Sequence, residues 1–116
     1  MEIKIIKKPI TKAELARMAR EQFGDMVKAA VDVEQNIMAI GGGLHADEEV
    51  ALTEDEHSKR EHTWGINIYP EKSGDDFIEF DSMINLKPGF GNRSRGVENP
   101  DIRKKIISIV CSLVVQ

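Results

Sequence analysis

The chain has 116 residues, of which 41% are hydrophobic and 31% are charged, and its formal net charge is −4. These values are typical of a single globular domain, which we place at residues 1–116, with a core that needs no disulfide or metal. The negative charge disfavours nucleic-acid binding, which requires a basic surface. The sequence contains no signal peptide and no apolar run of the roughly 20 residues that cross a bilayer, so we expect a cytoplasmic protein.

Cys111 is the only cysteine in the sequence. It cannot form an intrachain disulfide, and haem, zinc-finger or redox roles that need several cysteines are excluded. Because it lies among Ile109, Val110 and Leu113, we expect a buried and unreactive thiol.

The first predicted elements are a short strand at Glu2–Ile6 and a helix. Thr11 has the position of the helix N-cap, and Glu14 completes a capping box three residues later. Apolar residues follow at helical spacing and a glycine then ends the pattern. These signals predict a helix over Lys12–Phe23.

A β-hairpin is predicted next. Apolar and polar residues alternate over Met26–Glu34, which indicates a half-buried strand. A second strand is predicted at Ile37–Ile40, and Gln35–Asn36 between them has the length of a two-residue hairpin loop. That loop would set Val33 opposite Met38.

Residues 44–62 follow three glycines and have no clear periodicity. Glu48–Thr53 is compatible with either a short helix or a strand, because its apolar run is too brief to decide. Glu54–His62 is almost entirely charged, and we expect a solvated loop there.

The C-terminal half contains two predicted strands, Thr63–Tyr69 and Phe77–Leu86, and a final helix over Asp101–Val114. Asn99–Pro100 supplies the N-cap and first residue of that helix. Six apolar residues of these elements and of the N-terminal half are expected to be buried: Leu15, Val31, Trp64, Ile66, Phe80 and Ile106.

We therefore predict an α+β fold in which an N-terminal and a C-terminal helix pack on one face of a single, mostly antiparallel sheet. The other face is expected to stay uncovered. Its outward residues are polar and mainly acidic, namely Lys28, Asp32, Glu34, Asn67, Tyr69, Glu79, Asp81 and Asn85.

Five segments, which together cover nearly the whole chain, resemble those of a known protein family. They are GDMVKAAVDVE, IMAIGGGLHADEE, WGINIYPEK, IEFDSMINLKP and GNRSRGVENPDIRKKI. Together they resemble a small prokaryotic family known as a domain of unknown function. The resemblance implies no activity and assigns no catalytic residue.

One candidate site is the segment His45-Ala46-Asp47-Glu48-Glu49. His45 with Asp47 could act as a general base and the group that orients it. Alternatively Asp47 and Glu48, with His45, could hold a divalent metal, although no specific metal motif or other cofactor motif is present. In the alternative interpretation, His45 is a loop histidine beside solvated acidic residues and has no functional role.

A second candidate site is the glycine-bracketed run Asn92, Arg93, Ser94 and Arg95. Two guanidinium groups and nearby donors could bind a phosphate or carboxylate, so a small anionic ligand is a candidate partner. In the alternative interpretation, the arginines pair with carboxylates of the sheet and fix the loop.

Two further patterns lie on the outward face of the predicted sheet. Clustered carboxylates, joined by Tyr69, could support acid–base or metal chemistry, or could form an ordinary solvated face. Four apolar residues on the same face suggest a homodimer contact: Ala30, Ile37, Phe77 and Met83. No assembled catalytic motif is present, so we favour a binding or interaction module, with a small hydrolase or transferase acting on an anionic substrate as the alternative.

Overall fold

The computed structural model describes residues 2–116 and contains seven strands and three α-helices within that range. In chain order they are β1 (Lys4–Ile6), β2 (Ile10–Thr11), α1 (Lys12–Glu21), β3 (Val27–Asp32), β4 (Ile37–Ile40), α2 (His45–Glu56), β5 (Thr63–Ile68), β6 (Ile78–Glu79), α3 (Pro100–Leu113) and β7 (Val114–Val115).

Five of the strands form one sheet in the order β1-β4-β3-β5-β6, and every neighbouring pair in it is antiparallel. The remaining strands, β2 and β7, form a small parallel pair. The prediction of a mostly antiparallel sheet in a mixed α and β fold is confirmed.

The helix caps also agree with the prediction. The side chain of Thr11 accepts a hydrogen bond from the Glu14 N–H at 3.1 Å. Asn99 accepts from the Asp101 N–H at 2.8 Å, and Pro100 is the first residue of α3. Each cap accepts a hydrogen bond from a backbone N–H of the first turn that has no partner within the helix, which fixes where that helix begins.

The end of α1 differs from the prediction, because the helix stops at Glu21 rather than at Phe23. Gly24, at a φ of 95°, donates its N–H to the Ala19 carbonyl at 2.7 Å, which closes the helix. Phe23 therefore leaves the apolar stripe and is 41% exposed.

Helices α1 and α3 pack on the same face of the sheet. Their buried side chains share one core with the inward residues of β3 and β5. Of the six residues expected to be buried, Leu15, Val31, Trp64, Ile66 and Ile106 are buried. Phe80 is only partly buried, since it follows the short β6 at the edge of the sheet.

Cys111 was expected to be buried, but its side chain is exposed. The core stripe of α3 is formed by Ile106, Ile109, Val110 and Leu113. Successive residues of a helix are rotated by about 100° around its axis. Val110 lies at the edge of the stripe, so one further rotation takes Cys111 out of it.

The register of the β3–β4 hairpin also differs from the prediction. Val31, not Val33, lies opposite Met38, so the loop has two more residues than expected. The Asp32 carboxylate accepts the N–H groups of Glu34 at 2.9 Å and Gln35 at 3.1 Å, which stabilises the longer turn. A shift of two residues keeps each side chain on its face, so the core is unaffected.

Of the two alternatives left open for Glu48–Thr53, the helix is correct: α2 spans His45–Glu56. It covers part of the face that we expected to be open. Leu52 of α2 packs against a second, smaller core with Ala30, Ile37, Ala39 and Ile84. The helix also includes Glu54–Glu56, which were expected to belong to a charged loop, and His57, with a φ of 58°, caps its C-terminal end.

The four apolar residues of the predicted homodimer contact do not share one open face: Ala30 and Ile37 pack in the core beneath α2, whereas Phe77 belongs to the core with α1 and α3. Ala30, Ile37 and Phe77 are buried within the chain, and only Met83 is exposed, at 62%. Three of the four apolar side chains offered for self-association are therefore already packed.

The predicted strand Phe77–Leu86 is wrong beyond Glu79, because Met83–Asn85 forms a 3-10 turn. The Asn85 amide bonds both backbone groups of Gly65, accepting from the N–H at 2.8 Å and donating to the carbonyl at 3.0 Å. Side-chain hydrogen bonds to the backbone thus replace the expected strand ladder.

Candidate functional site

Three polar side chains form a row across the sheet on the face that carries α2. Lys28 of β3 pairs with Asn67 of β5, and Asn67 pairs with Glu79 of β6. Residues directly opposite each other in neighbouring strands point to the same face, about 5 Å apart. Strand pairing alone therefore places an ammonium, an amide and a carboxylate side by side.

The carboxylate end of the row is fixed by two donors. Glu79 Oε1 accepts from Asn67 Nδ2 at 2.9 Å and from the Tyr69 hydroxyl at 3.0 Å. Partial burial, together with the bond to Glu79 and its charge, raises the pKa of Tyr69. Asn67 Oδ1 is buried and has no well-aligned hydrogen bond from residues 2–116, and the Asn67 side chain lies beside His45, where it opposes the lowering of the His45 pKa by burial.

His45, the first residue of α2, lies above the row. Its Nε2 is 2.7 Å from the carbonyl oxygen of Ile66. A carbonyl only accepts hydrogen bonds, so Nε2 carries the proton and Nδ1 keeps its lone pair in the neutral ring. The side chain is 8% exposed, and this burial, followed by the positive charge of Lys28, lowers the pKa of His45 against the opposing bond to Ile66.

The row and His45 line one cleft of about 490 Å³. Arg95 and Asp81 form part of its wall, joined by an ion pair of 2.8 Å between Nε and Oδ1. Apolar side chains complete the lining, including Met26, Leu44 and Met83. Most of the lining residues are polar or charged, so a ligand in this cleft would be held mainly by polar contacts.

Glu48 is fully buried one turn after His45, with an exposure of 0%. Its Oε2 accepts the Gly42 N–H at 2.9 Å. Burial raises the pKa of Glu48 to about 9, although the Gly42 bond and the charge of Lys28 oppose the shift. Glu48 is therefore protonated at neutral pH and fastens α2 to the end of β4.

The structure does not bring His45, Asp47 and Glu48 together as a metal site or a catalytic pair. Residues two apart on a helix do not face each other. Asp47 therefore does not share the side of α2 on which His45 is buried, and it is exposed. Glu48 instead faces Gly42. Across residues 2–116, no three His, Cys, Asp or Glu side chains form a group that could hold a metal ion.

Asn92 was predicted to bind a ligand, but its side chain is occupied within the loop. Its Nδ2 donates to the carbonyls of Asn85 at 2.7 Å, Ser94 at 3.1 Å and Gly96 at 2.8 Å, while its Oδ1 accepts the Glu98 N–H at 2.9 Å. Asn92 is 4% exposed. It therefore shapes the loop.

The other three residues of that loop take different positions. Arg93 is exposed and is not part of the cleft. Its backbone N–H donates to the Glu98 carboxylate at 2.9 Å. Ser94 is half-buried and is also outside the cleft. Only Arg95 lines the cleft, so the structure does not bring the two arginines together there.

The acidic face predicted from the sequence is divided in the structure. Glu79, Asp81 and Tyr69 line the cleft. Asp32 is the last residue of β3, and its carboxylate accepts a hydrogen bond of 2.6 Å from Ser58. Glu34 is exposed in the hairpin turn that follows.

The alternation of polar and apolar residues places Lys28 and Asn67 on the correct face of the sheet but indicates no role for either residue. Alternation reveals the face of a residue, but not which strand lies next to it. The signal that was missing is the β3–β5 and β5–β6 pairing.

A protein-family model described as "Protein of unknown function (DUF5674)" matches residues 4–113, which confirms the resemblance to a family of unknown function. No curated protein and no solved structure matches the chain. In the part of the chain that the structure describes, none of the helices has the length and apolar character needed to cross a membrane.

Proposed function

The chain belongs to the DUF5674 family of proteins of unknown function, and we propose that this protein is a binding module for a small anionic ligand. The ligand would occupy the cleft between α2 and the sheet. The observation that carries the proposal is the row Lys28, Asn67 and Glu79 beneath the neutral ring of His45.

The positive end of the row supports an anionic group on the ligand. Within residues 2–116, no carboxylate lies within 4.0 Å of the Lys28 ammonium, which instead sits 5.2 Å from the Phe23 ring centroid. Leu44, at the N-cap of α2, offers no side-chain acceptor to the first amides of the helix. A carboxylate or phosphate near Lys28 would gain from both the ammonium and the helix N-terminus.

The other end of the row supports a hydrogen-bond donor on the same ligand. Glu79 lines this end of the cleft, and its carboxylate accepts hydrogen bonds and adds a negative charge. A hydroxyl or amine of the ligand would donate to it. The cleft of about 490 Å³ lies within the usual range for small-molecule sites, roughly 300–1,000 Å³.

A thermal-shift screen tests this proposal. The panel contains small carboxylates and phosphates, each with and without a hydroxyl or amino group. A ligand present at about 100 times its Kd adds about 2.7 kcal/mol to the free energy of unfolding, which corresponds to roughly 10 °C in Tm for a chain of this size. Compounds that carry both an anionic group and a donor should give the largest shifts.

Two variants locate the binding. Lys28→Gln and Glu79→Gln should each reduce the ligand-induced shift, since each removes one end of the row. Lys8→Gln removes an exposed lysine outside the cleft and should leave the shift unchanged. If no compound raises Tm, or if all three variants respond like the parent protein, the proposal is wrong.

A second candidate is a hydrolase or transferase acting on such a ligand, and it is favoured by His45. The 2.7 Å contact to the Ile66 carbonyl holds the ring in the tautomer with an unprotonated Nδ1, as a general base requires. His45→Gln should then retain the ligand-induced Tm shift and lose turnover measured by NMR. A ligand that binds but is not converted by the parent protein would leave the binding module as the function.

A further inference from the structure

A second concave surface lies on the opposite side of the sheet edge, between α3 and the segment around β6. This surface, which we call the α3 groove, has a volume of about 990 Å³. Its apolar lining is formed by Phe77, Ile78, Phe80, Ile107, Val114 and Val115.

The α3 groove exists because the sheet ends there. Strand β6 is the edge strand and pairs through only two residues, so no further strand covers the flank of α3. Ile107 is 43% exposed and Val115 is 40% exposed. An apolar surface therefore remains open beside the core.

The rim of the α3 groove is positively charged. Lys12, Arg103 and Lys104 line it, against a single acidic side chain, Asp75. Within residues 2–116, none of the three cations takes part in an ion pair. The Lys12 ammonium lies 5.0 Å from the centroid of the Phe77 ring, so cationic and apolar groups adjoin directly.

We propose that the α3 groove binds a free fatty acid, with the aliphatic tail along the apolar lining and the carboxylate at the cationic rim. The excess of positive charge selects an anionic head group. A volume of about 990 Å³ lies at the upper end of the range for small-molecule sites. A stable protein partner would need roughly 800 Å² on this chain, which a groove with two open aliphatic side chains does not offer.

Titration with laurate, kept below its micelle concentration, tests the proposal on the full chain. NMR amide shifts should saturate at one equivalent and concentrate on α3 and the segment around β6. Fatty acids that are longer by one methylene should bind up to about fourfold more tightly, as expected for burial of a CH₂ group. Dodecyltrimethylammonium has a similar tail and the opposite charge, and it should bind at least about tenfold more weakly.

Adjacent lysines of α3 provide matched variants. Lys104 lines the groove, whereas Lys105 is exposed and does not line it. Lys104→Glu should weaken laurate binding by about fivefold, and Lys105→Glu by less than about twofold. Ile107→Asn tests the tail site and should also weaken binding, with the amide spectrum of the free protein confirming that the fold is retained.

Three results would overturn the proposal. The first is equal affinity for laurate and for dodecyltrimethylammonium. The second is equal affinity of the Lys104→Glu and Lys105→Glu variants for laurate. The third is an absence of laurate binding. This result would overturn the proposal even if the protein sedimented with anionic vesicles or dimerised through this surface. None of these results bears on the cleft between α2 and the sheet.

Discussion

Replacing Glu48 with glutamine should change how the stability of the protein depends on pH. In the folded chain, burial raises the pKa of Glu48 from 4.5 to about 9. The folded state therefore keeps the proton, while the unfolded state releases it above pH 4.5. The contribution of Glu48 to stability is fully present below pH 4.5, declines as pH rises, and reaches its minimum above about pH 9.

The size of the effect follows from that shift. Each pH unit between the two pKa values removes about 1.4 kcal/mol from the free energy of unfolding. Ionisation of Glu48 in the unfolded state therefore makes the free energy of unfolding about 3 kcal/mol lower at pH 7 than at pH 4.5. Glu48→Gln removes the titrating group and keeps an acceptor for the Gly42 N–H, so this part of the pH dependence should disappear. An amide left without partners would cost stability equally at every pH.

Urea unfolding, followed by the fluorescence of buried Trp64, measures this difference at pH 5.5 and pH 8. Between these values the parent protein should lose about 3 kcal/mol more than Glu48→Gln does. Asp47→Asn removes the neighbouring exposed carboxylate and should follow the parent protein. Parallel pH profiles of the parent protein and Glu48→Gln would show that Glu48 is ionised in the folded state, which would refute the reasoning.

Three further substitutions or reactions test the structure. Asn92→Ala should lower the free energy of unfolding by about 2–4 kcal/mol in urea unfolding, because it leaves one buried and two part-buried backbone groups without their partner; a loss below about 1 kcal/mol would contradict its role. Gly65→Ala should destabilise strongly, because an added Cβ would lie 2.5 Å from Ser82 Cβ, whereas Gly89→Ala meets nothing within 4 Å and should be nearly neutral in the same assay. Cys111 should react fully with a thiol reagent in the native protein, since it is exposed; protection until unfolding would show that it is buried.

Local sequence determined the parts of the fold that depend on residues close in the chain. Thr11 and Asn99 cap α1 and α3 because their side chains reach amides two or three residues away. Strand alternation likewise assigned Val31 and Ile66 to the core. These features need no knowledge of the tertiary structure, and the sequence therefore predicted them correctly.

Other features depend on contacts between distant residues. The sequence did not decide between a helix and a strand at α2 because its buried residues His45, Glu48 and Leu52 include two polar side chains, whose burial depends on Ile66 and Gly42. The strand predicted to continue past Glu79 breaks because Asn85 bonds Gly65, 20 positions away.

The candidate site shows the same division. The sequence supplied His45, Glu79, Asp81 and Arg95 as members of separate groups, and tertiary structure brought them to one cleft. Lys28 became part of it only through the pairing of β3 with β5. A strand's alternation fixes the face of each side chain, whereas its neighbours depend on strand order, which is set by packing across the whole sheet.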